Sequence, residues 1–398
     1  MNSKDEAQKN VCLIYTGGTI GMERDRSGAD EVLIPGDATN FLDRLKARDE
    51  AFAIAKIHYL PLMSKDSTNI VPADWTQMAE VIYALLQKKS FNFSQPLVET
   101  GATEAFNKLL GVDFDGFVIA HGTDTMHFSS SALAFAFGKN LNLPVVFTGA
   151  QTAPDVHYGD ARVNLLRALK VATQELAEVV VAFGEFIFRG CRVQKKDEKR
   201  FDAFEAPAEF PIGYITEDIL LSEFAVRRKA NPGPLSFSPR FADGIVQISL
   251  IPGLRPELLL PIILEGDKRS EHARCKGVVL QSFGAGNVPS EGDFSFQKFI
   301  ERAVKEEIPV VIASQFPANS TLESQYAPGK RAVAAGAIAT ANMTNAAATV
   351  KFRWVLHQIE DRLANRTLER SDKLAEIRKM MNTSYVGELT NRNQIPKE

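Results

Sequence analysis

Short apolar runs alternate with helix-period segments through the first half of the chain. Val11–Tyr15, Phe52–Tyr59, Gly116–Ala120, Val145–Thr148 and Val179–Phe183 are mostly apolar and too short for helices, so they predict strands. Between them, a helix is predicted to start near Asp74 and another to span Ser129–Lys139. Strands that are apolar on both faces and alternate with helices imply a parallel sheet covered by helices. From Ala206 to Arg240 the periodicity weakens and prolines recur at Pro207, Pro211, Pro232, Pro234 and Pro239, which predicts a connection between domains. Beyond it, Ile245–Leu250, Gly277–Leu280 and Val310–Ala313 predict strands of a second α/β unit, and Thr349–Met381 is helical by composition. The expected fold class is α/β: a larger N-terminal parallel-sheet domain over residues 1–205, a linker over 206–240 and a smaller C-terminal α/β domain over 241–398.

Composition narrows the function classes. The 398 residues carry 46 basic and 49 acidic side chains, a net charge of −3, so no electrostatic footprint for nucleic acid or an anionic membrane is expected. Cys12, Cys191 and Cys275 are too widely spaced for a disulfide framework or a zinc site, and they suit a reducing compartment. The polar start, Met1–Asn10, precedes an apolar run too short for a secretory signal, and Pro261 interrupts Leu258–Leu264. No run approaches the roughly 20 residues needed to cross a bilayer. A cytoplasmic protein is expected. The six histidines show no ligand spacing, so no metal is expected.

Four segments could carry chemistry. Thr16-Gly17-Gly18-Thr19-Ile20-Gly21 directly follows a strand; its glycines let backbone N–H groups approach a ligand and leave the Thr19 hydroxyl exposed. It is neither a dinucleotide fingerprint nor a phosphate loop, and taken alone it reads as turn chemistry. His121-Gly122-Thr123-Asp124-Thr125 also stands between a strand and a helix, where an open α/β sheet binds ligands, or where Asp124 or Thr125 merely caps the helix. Asp66-Ser67-Thr68-Asn69 groups hydroxyls and a carboxylate in one loop, suited to a small polar ligand or to an ordinary turn. Arg189–Lys196 is a basic run that by itself reads as a solvated face.

Together these segments resemble the bacterial-type L-asparaginase family, in its cytoplasmic type I branch. The resemblance extends over nearly the whole chain: Tyr15–Met22, Asp66-Ser67, Asp115–Met126, Thr148-Gly149-Ala150-Gln151, Phe201-Asp202-Ala203-Phe204, Gly284-Ala285-Gly286-Asn287 and Gly387-Glu388-Leu389-Thr390. Two threonine motifs in this order are far more specific than either alone. The resemblance implies hydrolysis of L-asparagine to L-aspartate and ammonia, without cofactor or metal. It gives Thr19 as the nucleophile and Thr123, Asp124 and Lys195 as a second catalytic group. Ser67 would bind the substrate α-carboxylate and Asp124 its ammonium, with Thr68 shaping the pocket. Homodimers or homotetramers are implied, with Asn287 contributed across an interface.

Elementary chemistry agrees. A threonine hydroxyl is a weak nucleophile that needs a neighbouring base. No histidine is evidently placed for that work, which leaves Lys195 acting within a hydrogen-bonded group with Thr123 and Asp124. Backbone N–H groups near Thr19 or Thr123 would stabilise a tetrahedral oxyanion, by roughly 3–4 kcal/mol per donor.

Two departures stand out. The family places a tyrosine in the loop after its first glycine motif, whereas no tyrosine occurs between Gly21 and Asn40, with Leu33 or Ala29 near the expected position. Gln194, Gln281 and Phe316 differ from the usual set at the effector region of some type I members. Two alternatives therefore accompany the asparaginase expectation. One is a transamidosome-type ammonia-releasing subunit, whose relatives carry an N-terminal domain that Thr19, so near the start, leaves no room for. The other is a non-catalytic amino-acid-binding protein.

Overall fold

The computed structural model describes residues 8–25, 32–35, 41–45, 47–97, 99, 101–265, 274–316 and 327–390. The chain divides into two compact units, Met1–Pro239 and Arg240–Glu398.

The first unit runs β1 (Asn10–Gly17), β2 (Met22–Asp25), β3 (Val32–Pro35), α1 (Phe41–Arg44), α2 (Arg48–Ile54), β4 (Lys56–Lys65), α3 (Pro72–Gln87) and α4 (Ala102–Leu109). It continues with β5 (Gly116–Ala120), α5 (Met126–Phe137), β6 (Val145–Thr148), α6 (Ala161–Ala172), β7 (Val179–Phe183) and β8 (Phe186–Arg189). The short strands β9 (Gln194–Lys195), β10 (Phe204–Glu205), β11 (Gly213–Ile215) and β12 (Ile219–Leu221) complete it. Eight of these strands form one sheet in the order β12-β11-β8-β7-β6-β5-β1-β4. From β4 to β7 the pairing is parallel; β8, β11 and β12 extend it antiparallel.

Alternation along β1 sends Val11, Leu13 and Tyr15 into a core shared with Leu165 and Leu169 of α6 and Ala51 of α2. Helices α3 and α5 are joined by the Trp75 indole, which donates to Ser129 Oγ at 3.0 Å. Strands β5, β6 and β7 are buried throughout, which explains their unbroken apolar sequences. The chain passes from β1 to β4 on one side, then returns to β5 on the other. The strand order reverses at β1, and that is where an open sheet leaves a crevice at its carboxyl edge.

The second unit holds a four-stranded parallel sheet, β13 (Ile245–Ser249), β14 (Gly277–Ser282), β15 (Val310–Ser314) and β16 (Ile338–Ala339), in that order. Helices α7 (Gln297–Lys305), α8 (Ala327–Ala334), α9 (Asn345–Ala364) and α10 (Lys373–Met381) accompany it. Phe296, Phe299 and Ile300 pack with Val278, Leu280 and Ile312 in its core.

The structure corrects four sequence expectations. Residues 206–240 are not a bare linker: β11 and β12 lie there and add to the large sheet, and the first unit ends at Pro239. The run Phe52–Tyr59 is divided, because alanines and the acidic first turn of Asp49 and Glu50 extend α2 to Ile54 before β4 begins. The helix expected over Ser129–Lys139 is α5, which starts earlier, at Met126. Thr349–Met381 forms two helices separated at 365–372, where Arg366 takes a left-handed φ of 54°.

Candidate active site

Four loops at the carboxyl edge of the parallel strands meet around β1. The first turns at Gly17 and Gly18, with φ of 104° and 85°, conformations that side chains resist. Gly18 N donates to Lys65 O at 3.1 Å, tying this turn to the end of β4. The buried Thr16 hydroxyl donates to Ala120 O at 2.8 Å, tying it to the end of β5. Thr19 then opens a single 3₁₀ turn, Thr19–Gly21, and is half-buried. Below the turn, the Tyr15 hydroxyl donates to Gly21 O at 3.4 Å. The stretch where the family carries its lid tyrosine lies largely outside the described residues: Ala29 falls there, and Leu33 is placed only as backbone of β3.

After β4, Asp66 Oδ1 accepts from Thr68 N at 2.8 Å and Thr68 Oγ1 at 2.7 Å, which winds Ser67–Asn69 into a 3₁₀ turn. Thr68 is exposed, its hydroxyl committed to Asp66. Ser67 is buried against the β5 loop, and a Cβ on Gly122 would lie 2.5 Å from Ser67 Oγ. The Thr125 hydroxyl donates to Ser67 O at 2.7 Å. Lys65 pairs with the buried Asp74 at 2.6 Å, and Asp74 also accepts from Val71 N, fixing the loop to the head of α3.

Thr123, Asp124 and Lys195 converge. Lys195 Nζ donates to Thr123 Oγ1 at 2.8 Å and to Asp124 Oδ1 at 2.6 Å. The Lys195 side chain is only 12% exposed, against 55% for Asp124. Lys195 stands on β9, paired in register with Phe204 of β10, so the basic run is not a solvated face at this position. Thr123 Oγ1 donates in turn to Gln151 Oε1 at 3.1 Å.

The surrounding imidazoles are neutral at pH 7. Burial pushes His121 down to about 4, outweighing a hydrogen bond to Gly122 O and the field of Asp74. His127, in the first turn of α5, is also pushed down to about 4, by burial first and then by the Lys195 charge. Sequence reasoning gives His127 no partner; it lies within the field of Lys195 and Asp124. Sequence reasoning includes Gln151 in the Thr148–Gln151 motif without giving it a role, and it misses Asp160. Among the described residues no cluster of three or more His, Cys, Asp or Glu side chains could hold a metal ion.

Asn287 belongs to the second unit, in the turn after β14 where its backbone N–H and carbonyl both bond Phe283. Among the described residues its buried Oδ1 has no hydrogen-bond donor. The structure thus brings Thr123, Asp124 and Lys195 into direct contact, sets Ser67 beside Gly122, and places Thr19 on the turn tied to the same strand end.

Loops carrying threonines, a lysine and carboxylates thus gather at the switch point of the sheet, the place where open α/β sheets bind ligands. Comparison with known proteins supplies the family. A model described as "Asparaginase, N-terminal" matches residues 10–93 and 90–226, and one described as "Glutaminase/Asparaginase C-terminal domain" matches 245–368. The chain belongs to the asparaginase family, and is an amidohydrolase. It is 32% identical to an L-asparaginase of Thermococcus kodakarensis, over 96% of this chain and 99% of that protein. It is 30% identical to a subunit of the glutamyl-tRNA(Gln) amidotransferase of the same organism, over 97% of this chain and 78% of that one. The solved structure of L-asparaginase I from Vibrio cholerae superposes with a TM-score of 0.73 at 28% identity, covering 97% of this chain and 100% of that one. Among the described residues no helix is long and apolar enough to cross a membrane.

Proposed function

We propose that the protein hydrolyses the side-chain amide of L-asparagine to L-aspartate and ammonia, with Thr19 as nucleophile. The Thr19 oxygen bonds to the amide carbon; the amide nitrogen departs as ammonia, taking up the proton that Thr19 releases. Water then cleaves the resulting ester, regenerating Thr19 and freeing aspartate. Thr123, Lys195 and Asp124 form the second catalytic group, which moves protons between the threonine, the leaving nitrogen and the water. The single observation that carries this reading is the contact of Lys195 Nζ with both Thr123 and Asp124, at 2.8 and 2.6 Å. With both nearby histidines neutral and buried, lysine is the cation best placed to act there.

Ser67 and Asp124 receive the substrate α-carboxylate and α-ammonium, and Thr68 borders the pocket from its turn. Asn287 acts across an interface in a homodimer or homotetramer. No cofactor or metal takes part. Three free cysteines support a cytoplasmic location. The similarity to an amidotransferase component supports a second reading, in which ammonia is released for a partner enzyme. Ammonia release from L-asparagine and L-glutamine, by the protein alone and with an amidotransferase partner added, decides between them. Free turnover of asparagine supports the first reading, and turnover only in the presence of an amidotransferase partner supports the second.

A further inference from the structure

Gln151 follows β6 on a loop whose main chain is clamped from below. Asp160, buried at the head of α6, accepts from Gln151 N at 3.1 and 2.9 Å, from Thr152 N at 3.0 Å and from Thr152 Oγ1 at 2.9 Å. Asn164 adds to the clamp, donating from Nδ2 to Gly149 O at 3.0 Å and to Asp160 at 3.1 Å. A carboxylate that gathers several donors around one loop holds it in a single conformation.

The two ends of the Gln151 amide have different partners. Nε2 donates to Asp197 O at 3.3 Å, and Oε1 accepts from Thr123 Oγ1 at 3.1 Å. Exchanging the ends would set Oε1 against the Asp197 carbonyl, two acceptors with no proton between them, so the orientation is determined. Thr123 Oγ1 therefore lies between a donor, Lys195, and an acceptor, Gln151. An ammonium has no lone pair to offer, and a hydroxyl has one proton, so that proton must point to Gln151 and a lone pair to Lys195.

We propose that Gln151 is a positioning residue, which fixes the direction of the Thr123 hydroxyl proton and thereby holds Lys195 between Thr123 and Asp124. The inference rests on the functional reading above. Without the amide acceptor the Thr123 hydroxyl is free to rotate, and Lys195 loses a fixed partner on one side while keeping Asp124 on the other. Substrate contacts are untouched, so the effect falls on turnover and not on binding.

The test compares the wild type with Gln151→Met, which keeps the length of the side chain and removes the acceptor, and Gln151→Glu, which keeps an acceptor oxygen. Ammonia release, its pH profile and the melting temperature are measured for all three. Gln151→Met is expected to lose roughly tenfold to a hundredfold in kcat with KM within about twofold of the wild type. Gln151→Glu is expected to recover part of that loss near pH 8. It should recover more of it below about pH 5, where a protonated carboxyl donates to Asp197 O, as Gln151 Nε2 does, and its other oxygen still accepts from Thr123. Wild-type kcat in Gln151→Met overturns the inference, and so do equal losses in both variants at every pH. Should Gln151→Met fail to fold, the acid limb of Gln151→Glu decides alone. A wild type that releases no ammonia from either amide overturns the functional reading and this inference together.

Discussion

Gly18 and Gly122 meet backbone to backbone: a Cβ built on Gly18 would lie 2.3 Å from Gly122 Cα and from Gly122 N. One glycine closes the turn that carries Thr19, and the other immediately precedes Thr123. The two threonine loops thus interlock through two missing side chains, and Gly122 leaves the space that Ser67 Oγ fills. Gly18→Ala combines this clash with a left-handed φ of 85°. It is expected to cost more than about 1 kcal/mol of stability and to abolish ammonia release, although no functional group is removed. Urea unfolding and an activity assay check this. Gly101→Ala serves as the control, since Gly101 shares a left-handed φ of 79° but a Cβ there meets nothing within 4 Å.

His121 and His127 give the stability curve its acid side. Both are held neutral in the folded protein, with pKa pushed down to about 4 from 6.5. Below pH 6.5 the unfolded chain binds protons that the folded chain refuses, so stability falls as pH drops from 6.5 towards 4, by an amount on the order of 3 kcal/mol per histidine. Glu178 works in the opposite direction: burial raises its carboxyl to about 7, so stability declines as pH rises from 4.5 to 7. His127→Asn should flatten the acid side of a melting-temperature profile between pH 7 and 4, and an unchanged slope would remove His127 from this account.

The second unit is pinned by an ion pair sealed from water. Lys351 and Glu388 meet at 2.6 Å with both side chains 0% exposed. Lys351 also donates to Met381 O at 2.8 Å and Thr383 O at 2.7 Å, and Glu388 accepts from Tyr385 N and Val386 N. The pair ties α9 to the segment after α10. Lys351→Met takes this cation from a buried carboxylate and is expected to destabilise by about 3–5 kcal/mol. Adding Glu388→Gln removes that charge and keeps an acceptor for the two backbone N–H groups. The double variant should recover stability relative to the single one in urea unfolding.

Much of the fold is legible in the sequence because parallel strands buried on both faces advertise themselves as apolar runs. Val145–Thr148 and Val179–Phe183 match β6 and β7 end for end. The antiparallel edge is hidden: β11 and β12 are three residues each, lie among prolines, and owe their existence to pairing with β8 and with each other. Local pattern carries little information about such strands. At the site, the threonine, lysine and carboxylate positions can be named through the resemblance. Gln151 and Asp160 cannot be placed as partners, since Gln151 is 28 residues from Thr123 and its role exists only where loops from different strands meet. Lys195 shows the same limit from the other side. Its basic neighbourhood reads as surface, and only pairing with Phe204 turns it inward.

The most direct test of the central claim is ammonia release from L-asparagine by the wild type and by Thr19→Ala, with L-glutamine run alongside. The account predicts turnover of asparagine by the wild type and its loss in Thr19→Ala, by a factor on the order of a thousand or more, as expected for removing a nucleophile. Retained turnover in Thr19→Ala, or a wild type that binds asparagine and releases no ammonia, would contradict it.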